Sequence, residues 1–447
     1  MQTIDLLVLP RWLVPVEPAG AVLEDHALAV DGGRIIDVLP AAFAQQAFQP
    51  REVLELPRHA LLPGLVNVHT HAAMNLLRGL ADDLPLMDWL QNHIWPAEGA
   101  NVSYAFCADG VRLAAAEMIR GGTTCFNDMY FFPDATAAVA AEVGLRANVG
   151  LVVFDFPTAW AQSWEEYIHR GLEVHDRLRG TSLVRAVFAP HAPYTVSDAP
   201  LRRVRELATE LGIGIHMHVH ETAAEIEGGL QSGGKRPWQR LRELDLLGQD
   251  FIAVHMTQLT DDEIAEAGRL GVSVAHCPES NLKLGSGFCP VARLLAAGVN
   301  VAIGTDGAAS NNDLDLFGEM RSAALLAKGL SGDASAVPAH TALHMATLAG
   351  ARALGLDEQI GSLQPGKAAD FIAVDLGRPA TQPVYHVLSQ LVYAASRDQV
   401  SDVYVAGRAL MRDGKLLTLD EPQTLAKAAE WAQRIAAGDQ RQAGGRH

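Results

Sequence analysis

Two histidines one residue apart, His69 and His71, close the apolar run Leu61-Leu-Pro-Gly-Leu-Val-Asn-Val-His-Thr-His71. Strand side chains two apart leave the same face. Two neutral imidazoles aimed one way from a strand end suit a shared divalent metal, although a chance pair would show the same spacing. Other apolar runs end in similar residues: Pro190-His191, then His216, His218 and His220 leading into Glu221, then His255, His276-Cys277 and Thr305-Asp306-Gly307. Ionisable side chains are seldom buried unless paired or metal-bound, so packing alone does not explain the set. His216, His218 and His220 share a face, which leaves open which of them is a ligand.

These residues need a scaffold that gathers strand ends. After the run ending at His71 come strand candidates Thr123–Asp128, Leu145–Val153, Leu183–Ala189, Ile213–His218, Phe251–His255, Val272–His276 and Val299–Gly304. Helical patterns fit between them, such as Val102 to Arg120 before Gly121-Gly122 and Asp261 to Leu270 before Gly271. Eight strand–helix units over roughly 300 residues predict a (β/α)8 barrel of the α/β class, which carries its active site at the carboxyl ends of its strands. Both chain ends read differently. His26–Val30 and Arg34–Val38 flank Asp31-Gly32-Gly33, a hairpin signal. Asp370–Asp375, Asp402–Val405 and Arg408–Arg412 are further strands. We therefore expect a metal-dependent barrel over 59–364 and a small β-sandwich domain assembled from 1–58 and 365–447. The second piece carries a terminal helix and a frayed tail from Gly438 to His447.

The chain has 447 residues, 49% of them hydrophobic, so it can bury a large core and is not disordered by default. Its net charge of −17, from 35 basic and 52 acidic residues, disfavours nucleic acid and anionic membrane surfaces as partners. Four cysteines with no Cys-x-x-Cys pair argue for reduced thiols. Asp5, Arg11 and Glu17 interrupt the apolar core that a signal peptide needs, and no run of 18 apolar residues appears. A cytoplasmic protein is expected.

His69-Thr-His71, His218-Val-His-Glu221, His255 and Gly304-Thr-Asp-Gly307 resemble the metal pattern of the amidohydrolase superfamily in order and spacing. No lysine lies between Thr181 and Val196, so the branch with a carboxylated lysine between two metals fits poorly, and the mononuclear, triazine-hydrolase-like branch fits better. Within it, Asp83–Leu90, Trp95-Pro-Ala-Glu98, Ala189-Pro-His-Ala-Pro-Tyr194 and His276–Gly285 resemble the 5'-methylthioadenosine/S-adenosylhomocysteine deaminases. The resemblance spans nearly the whole chain. It implies His69, His71, His218 and Asp306 as ligands of one Zn2+, a set that Fe2+, Mn2+ or Ni2+ also fits. It also selects His218 on the fifth strand, because the family spacing is His-x-x-Glu. His216 and His220 then take outer or packing roles.

The same resemblance implies a hydrolytic deaminase of adenosine-type nucleosides and a homo-oligomer. A bound metal lowers the pKa of its water toward ~7. Attack at C6 of an adenine ring requires protonation at N1, and Glu221 resembles that general acid. Asp306 takes the water proton while also contacting substrate, and His255 orients the attacking oxygen. Glu98 and His191 correspond to positions that contact the sugar; a carboxylate accepting from two neighbouring hydroxyls suits that role. Relatives that accept S-adenosylhomocysteine carry an arginine shortly after the third strand's Gly-Leu-Arg, and here Leu151 is expected at that place. Leucine offers no bidentate donor for a carboxylate and suits a methylthio group, so 5'-methylthioadenosine is the expected substrate, S-adenosylhomocysteine a poorer one. Two rivals remain. One is a guanine or triazine deaminase or chlorohydrolase with the same metal set. The other is a scaffold barrel without chemistry, which predicts gaps among the ligands; this sequence has none.

Overall fold

The computed structural model describes the backbone of residues 1–444 and side chains to 437. Its centre is a parallel (β/α)8 barrel with strands β1 (Leu65–Thr70), β2 (Thr123–Asp128), β3 (Arg146–Val153), β4 (Val184–Pro190), β5 (Ile215–Val219), β6 (Phe251–His255), β7 (Ser273–His276) and β8 (Asn300–Ile303). Each pairs in parallel with the next from β1 through β8. Every residue of β1, β2, β3, β5, β6 and β7 is buried, as expected of strands covered on both faces. Side chains help to close the ring. Asn67 Nδ2 donates to Thr305 Oγ1 at 2.8 Å, its Oδ1 accepts from the Thr305 N–H at 3.1 Å, and the Asp306 N–H reaches the His69 carbonyl at 3.0 Å. The Asn67 amide thus imitates a strand backbone between β8 and β1.

The helices begin and end where local chemistry directs. Ser103 caps Tyr104–Arg120 by accepting from the Phe106 N–H. Thr260 and Glu263 form a reciprocal capping box at the start of Asp261–Leu270, and Gly271 ends that helix at φ 76°. Between β1 and Tyr104–Arg120 lies a long insertion of short helical pieces: Ala72–Leu77, Leu86–Asp88, a wide-turned stretch Trp89–Ile94, and Trp95–Asn101. This insertion covers the carboxyl end of the barrel.

Strands from both termini form one mixed nine-stranded sheet, ordered Lys415–Leu416, Arg408–Arg412, Val400–Val405, Phe371–Asp375, Phe48–Pro63, Gln2–Leu13, His26–Asp31, Arg34–Pro40, with Leu23–Glu24 paired to Gln2–Leu13. The expected hairpin is present as His26–Asp31 against Arg34–Pro40. Leu6 and Val8 feed one apolar cluster of the sheet and Leu7 another, the alternation of a strand covered on both sides. A buried bidentate pair joins sheet and barrel: Arg146, first residue of β3, donates to both oxygens of Asp370 at 2.6 and 3.0 Å. The terminal helix Glu421–Gly444 packs on Tyr104–Arg120, with Trp431 Nε1 donating to Asp109. The tail expected to fray, 438 to 447, lies outside the described side chains; its backbone is helical to Gly444. Among the described residues no helix is long and apolar enough to cross a membrane.

Candidate active site

Four side chains from three strand ends converge. His69 ends the apolar core of β1, His71 follows that strand, His218 sits on β5 and Asp306 lies just after β8. Their ligating atoms all lie within 4.8 Å of one another. His71 Nδ1 donates to the Met129 carbonyl at 2.5 Å and His218 Nδ1 to the His191 carbonyl at 2.8 Å, so both rings turn Nε2 toward the other ligands. His69 Nδ1 is held by His216 Nε2 at 2.9 Å. His69 Nε2 then faces His218 Nε2 at 3.1 Å, and His69 and His71 Nε2 each lie 3.2 Å from Asp306 Oδ1. A tetrahedral ion with bonds of about 2.0 Å needs ligand–ligand edges of about 3.3 Å. Facing imidazole nitrogens beside a carboxylate at that spacing fit a divalent cation, which would displace the proton that His71 otherwise shares with Asp306.

The backbone is shaped for this convergence. His220, His255 and Asp306 have φ of 54°, 74° and 64°, left-handed values uncommon outside glycine and concentrated at functional sites. Gly304 passes so close to β1 that a Cβ there would lie 2.9 Å from His69 Cβ. Only glycine lets the turn carrying Asp306 approach the histidine pair.

Electrostatics separate these groups sharply. Burial pushes His69 down to about 4, whereas at His71 the Asp306 carboxylate overrides burial and raises the ring to about 9. Burial opposes ionisation of Asp306, but the two imidazoles hold it well below the usual carboxylate range. Ser280 Oγ donates to its other oxygen, Oδ2, at 2.6 Å. Burial raises Glu221. Its carboxyl sits 3.8 Å from His255 Nε2 and 3.5 Å from Ser286 Oγ. His255 Nδ1 donates to Asn281 Oδ1 at 2.9 Å, so its Nε2 points into the site.

A cavity of about 420 Å³ opens onto this cluster, lined by His71, His218, Glu221, His255 and Asp306 on its floor. Glu98 and His191 also line it, as the sequence predicts for substrate contacts. Burial pushes Glu98 up to about 7, and Tyr130 OH donates to its Oε1 at 2.7 Å, leaving Oε2 free. Burial depresses His191 to about 3; its ring stacks on Phe154 and bonds Thr195 through Nδ1. Leu151 does not reach the cavity. It is buried on the outer face of β3, where a Cβ placed on Gly171 of helix Trp164–Leu178 would lie 3.2 Å from its Cβ. Val152, the next residue, takes the wall position, as strand alternation requires.

Several contributors were missed from sequence. Ser280 and Asn281 lie inside the His276–Gly285 motif, so their residue types were in view, but not their partners. Tyr130 follows the end of β2, where strand-end reasoning could have found it. Glu225 left no signal: it accepts from the His220 and Glu221 N–H groups at 2.9 and 2.8 Å and fixes the loop that carries the candidate acid. Burial raises its carboxyl to about 7 against those two donors. His216 is the outer partner of His69, and His220 Nε2 accepts from the Trp238 N–H at 3.0 Å.

A metal-competent cluster of this kind at the carboxyl end of a (β/α)8 barrel defines a metal-dependent hydrolase, and the chain belongs to the amidohydrolase family, whose model matches residues 60–410. It is a hydrolytic deaminase. It is 49% identical to the 5-methylthioadenosine/S-adenosylhomocysteine deaminase of Saccharophagus degradans, covering 97% of each chain. A crystal structure of an adenosine deaminase from Xanthomonas campestris with bound zinc superposes with a TM-score of 0.97 at 54% identity, over 98% of this chain and 99% of that one. An atrazine chlorohydrolase from Arthrobacter aurescens, at 21% identity and a TM-score of 0.89 over 96% and 100% of the two chains, shares the fold.

Proposed function

We propose that this chain is a zinc-dependent adenosine-type deaminase that prefers 5'-methylthioadenosine, converting it with water to 5'-methylthioinosine and ammonia. The observation that carries the reading is the cavity itself: three of the four convergent ligand residues (His71, His218 and Asp306), with His69 buried behind them, share its lining with the buried carboxyls of Glu221 and Glu98. When bound by His69, His71, His218 and Asp306, a divalent ion supplies Lewis acidity and draws the pKa of water toward ~7.

The remaining work falls to the chain. Glu221, whose carboxyl burial pushes up toward the acid form, donates a proton to N1 of the adenine ring, so addition at C6 leaves no charge on the ring. The Asp306 carboxylate accepts the proton of the adding water, with Ser280 holding its second oxygen. His255, fixed by Asn281, steadies the oxygen through Nε2. Asp306 then passes the water proton to the amino group, the C6–N bond breaks with loss of ammonia, and the C6 hydroxyl proton returns to Glu221 as the product carbonyl forms. Glu98 accepts from the sugar hydroxyls through Oε2, with His191 beside them.

Substrate preference rests on what lines the far wall. Val152, Phe154, Phe156 and Trp95 are apolar, and among the described residues none that lines the cavity is Arg or Lys. Such a wall suits a thioether methyl and leaves the carboxylate of a homocysteine tail without a bidentate partner. This supports the preference through Val152 where the sequence had pointed to Leu151. Comparison of kcat/KM tests it: 5'-methylthioadenosine should exceed S-adenosylhomocysteine, and equal values would overturn the preference. Turnover of a triazine or guanine with none of any adenosine analogue would overturn the nucleoside reading altogether. Metal analysis of the purified protein tests zinc, with one ion per chain expected.

A further inference from the structure

Helix Pro278–Lys283 follows β7 and spreads its side chains over three partners. Ser280 bonds Asp306 and Asn281 bonds His255. The third, Lys283, points to the barrel mouth. Its Nζ donates to Asp82 Oδ1 at 2.7 Å, to the Ala309 carbonyl at 3.2 Å and to Asn312 Oδ1. Asn312 Nδ2 in turn donates to Asp82 Oδ2 at 3.1 Å. An ammonium has three N–H donors, and here each has an acceptor. Exposed Lys–Asp pairs ordinarily contribute little. In this pair the lysine side chain is only 20% exposed, and three segments meet at one cation.

Those segments are the loop after β8 (Ala309, Asn312), the helix after β7 (Lys283) and the base of the insertion after β1 (Asp82). Each abuts the cavity, since Ser310, Leu284 and Leu86 line it. Beyond Asp82 the insertion carries Trp89, Trp95 and Glu98 into the same wall. Asp83, next to Asp82, turns left-handed at φ 61° and directs the chain over the mouth.

We propose that Lys283 is a positioning residue: with Asp82 and Asn312 it latches the insertion 78–103 over the cavity and sets Glu98 against the substrate. The latch rests on the reading of this cavity as the substrate site. It touches no reacting atom. Because Lys283 shares a helix with Ser280 and Asn281, the latch also links closure of the cover to the residues that hold Asp306 and His255.

The test uses Lys283→Met, Asp82→Asn and the double variant in the full-length, metal-loaded protein. A cover closed about a tenth of the time weakens apparent binding about tenfold. Lys283→Met should therefore raise KM for 5'-methylthioadenosine about that much with kcat changed less than about threefold. The double variant should match the worse single one. Lys283→Arg should rescue only partly, because a planar guanidinium does not fit three convergent acceptors. Without substrate, chymotrypsin should cut Lys283→Met faster between Leu86 and Trp95, and bound product should restore protection. Wild-type KM and cleavage rates in Lys283→Met, with or without a lowered Tm, would overturn the latch, as would fully additive effects in the double variant. Failure of the wild-type protein to turn over 5'-methylthioadenosine would count against the proposed substrate only, because the proteolysis comparison needs no turnover.

Discussion

Glu98 gives the sharpest quantitative prediction. Burial pushes its carboxyl up to about 7, so near neutral pH it is split between two forms. Tyr130 OH occupies Oε1, which leaves Oε2 as the oxygen proposed to meet the substrate sugar. As a carboxylate, that oxygen offers charge-assisted bonds worth about 1.5–3 kcal/mol, against about 0.5–1.5 kcal/mol for a neutral acceptor. The difference, about 1–1.5 kcal/mol, corresponds to roughly tenfold in KM. The group's pKa is raised, so the carboxylate is present above about 7 and is lost as pH falls through it. KM for 5'-methylthioadenosine should therefore rise about fivefold as pH is lowered from 8 to 6, the part of the tenfold difference that falls in that window, with kcat less affected. Glu98→Gln mimics the protonated form, so its KM should sit near the wild-type low-pH value and stay flat. Steady-state deamination followed by the loss of adenine absorbance measures both profiles. If Glu98→Gln keeps the same acid limb in 1/KM as the wild type, another group titrates and the assignment of Glu98 to the sugar fails.

Asp306→Asn should leave a folded barrel with no measurable turnover, since amide nitrogen and oxygen cannot take the water proton; appreciable activity would remove Asp306 from the ligand set. Glu221→Gln should retain the metal by elemental analysis and lose about 10²–10⁴-fold in kcat. A metal-free Gln variant would instead make Glu221 a ligand. His216→Phe deletes the acceptor that holds His69 Nδ1 and should weaken metal binding about 10–100-fold in chelator competition. His216→Gln, which restores an acceptor, should recover much of that affinity, and equal affinities in all three proteins would reduce His216 to packing.

The legible part of this protein was what short-range patterns can encode. A strand such as Phe251–His255 reads directly because buried parallel strands are near-continuous apolar runs. Barrel topology then put His69, His71, His218, His255 and Asp306 at one end, because every strand of such a barrel runs the same way. Facing was less legible. Leu151 is the residue that the resemblance places where relatives carry an arginine, but matching a position along β3 does not say which face of the strand points inward, and Val152 stands at the wall. The answer came from Gly171, whose helix receives Leu151 on the outer face.

Partners distant in sequence were beyond reach altogether. His216 holding His69, Tyr130 holding Glu98 and Asp82 meeting Lys283 join residues 147, 32 and 201 positions apart. No local propensity favours such a pair, since its members gain nothing until the barrel has closed. The sequence by itself determined which residue types stand at the strand ends. Tertiary structure decided which nitrogen faces the metal site, which carboxyl is buried enough to hold a proton, and which loops are tied across the mouth, because those depend on burial and on hydrogen bonds made only when distant strands come together.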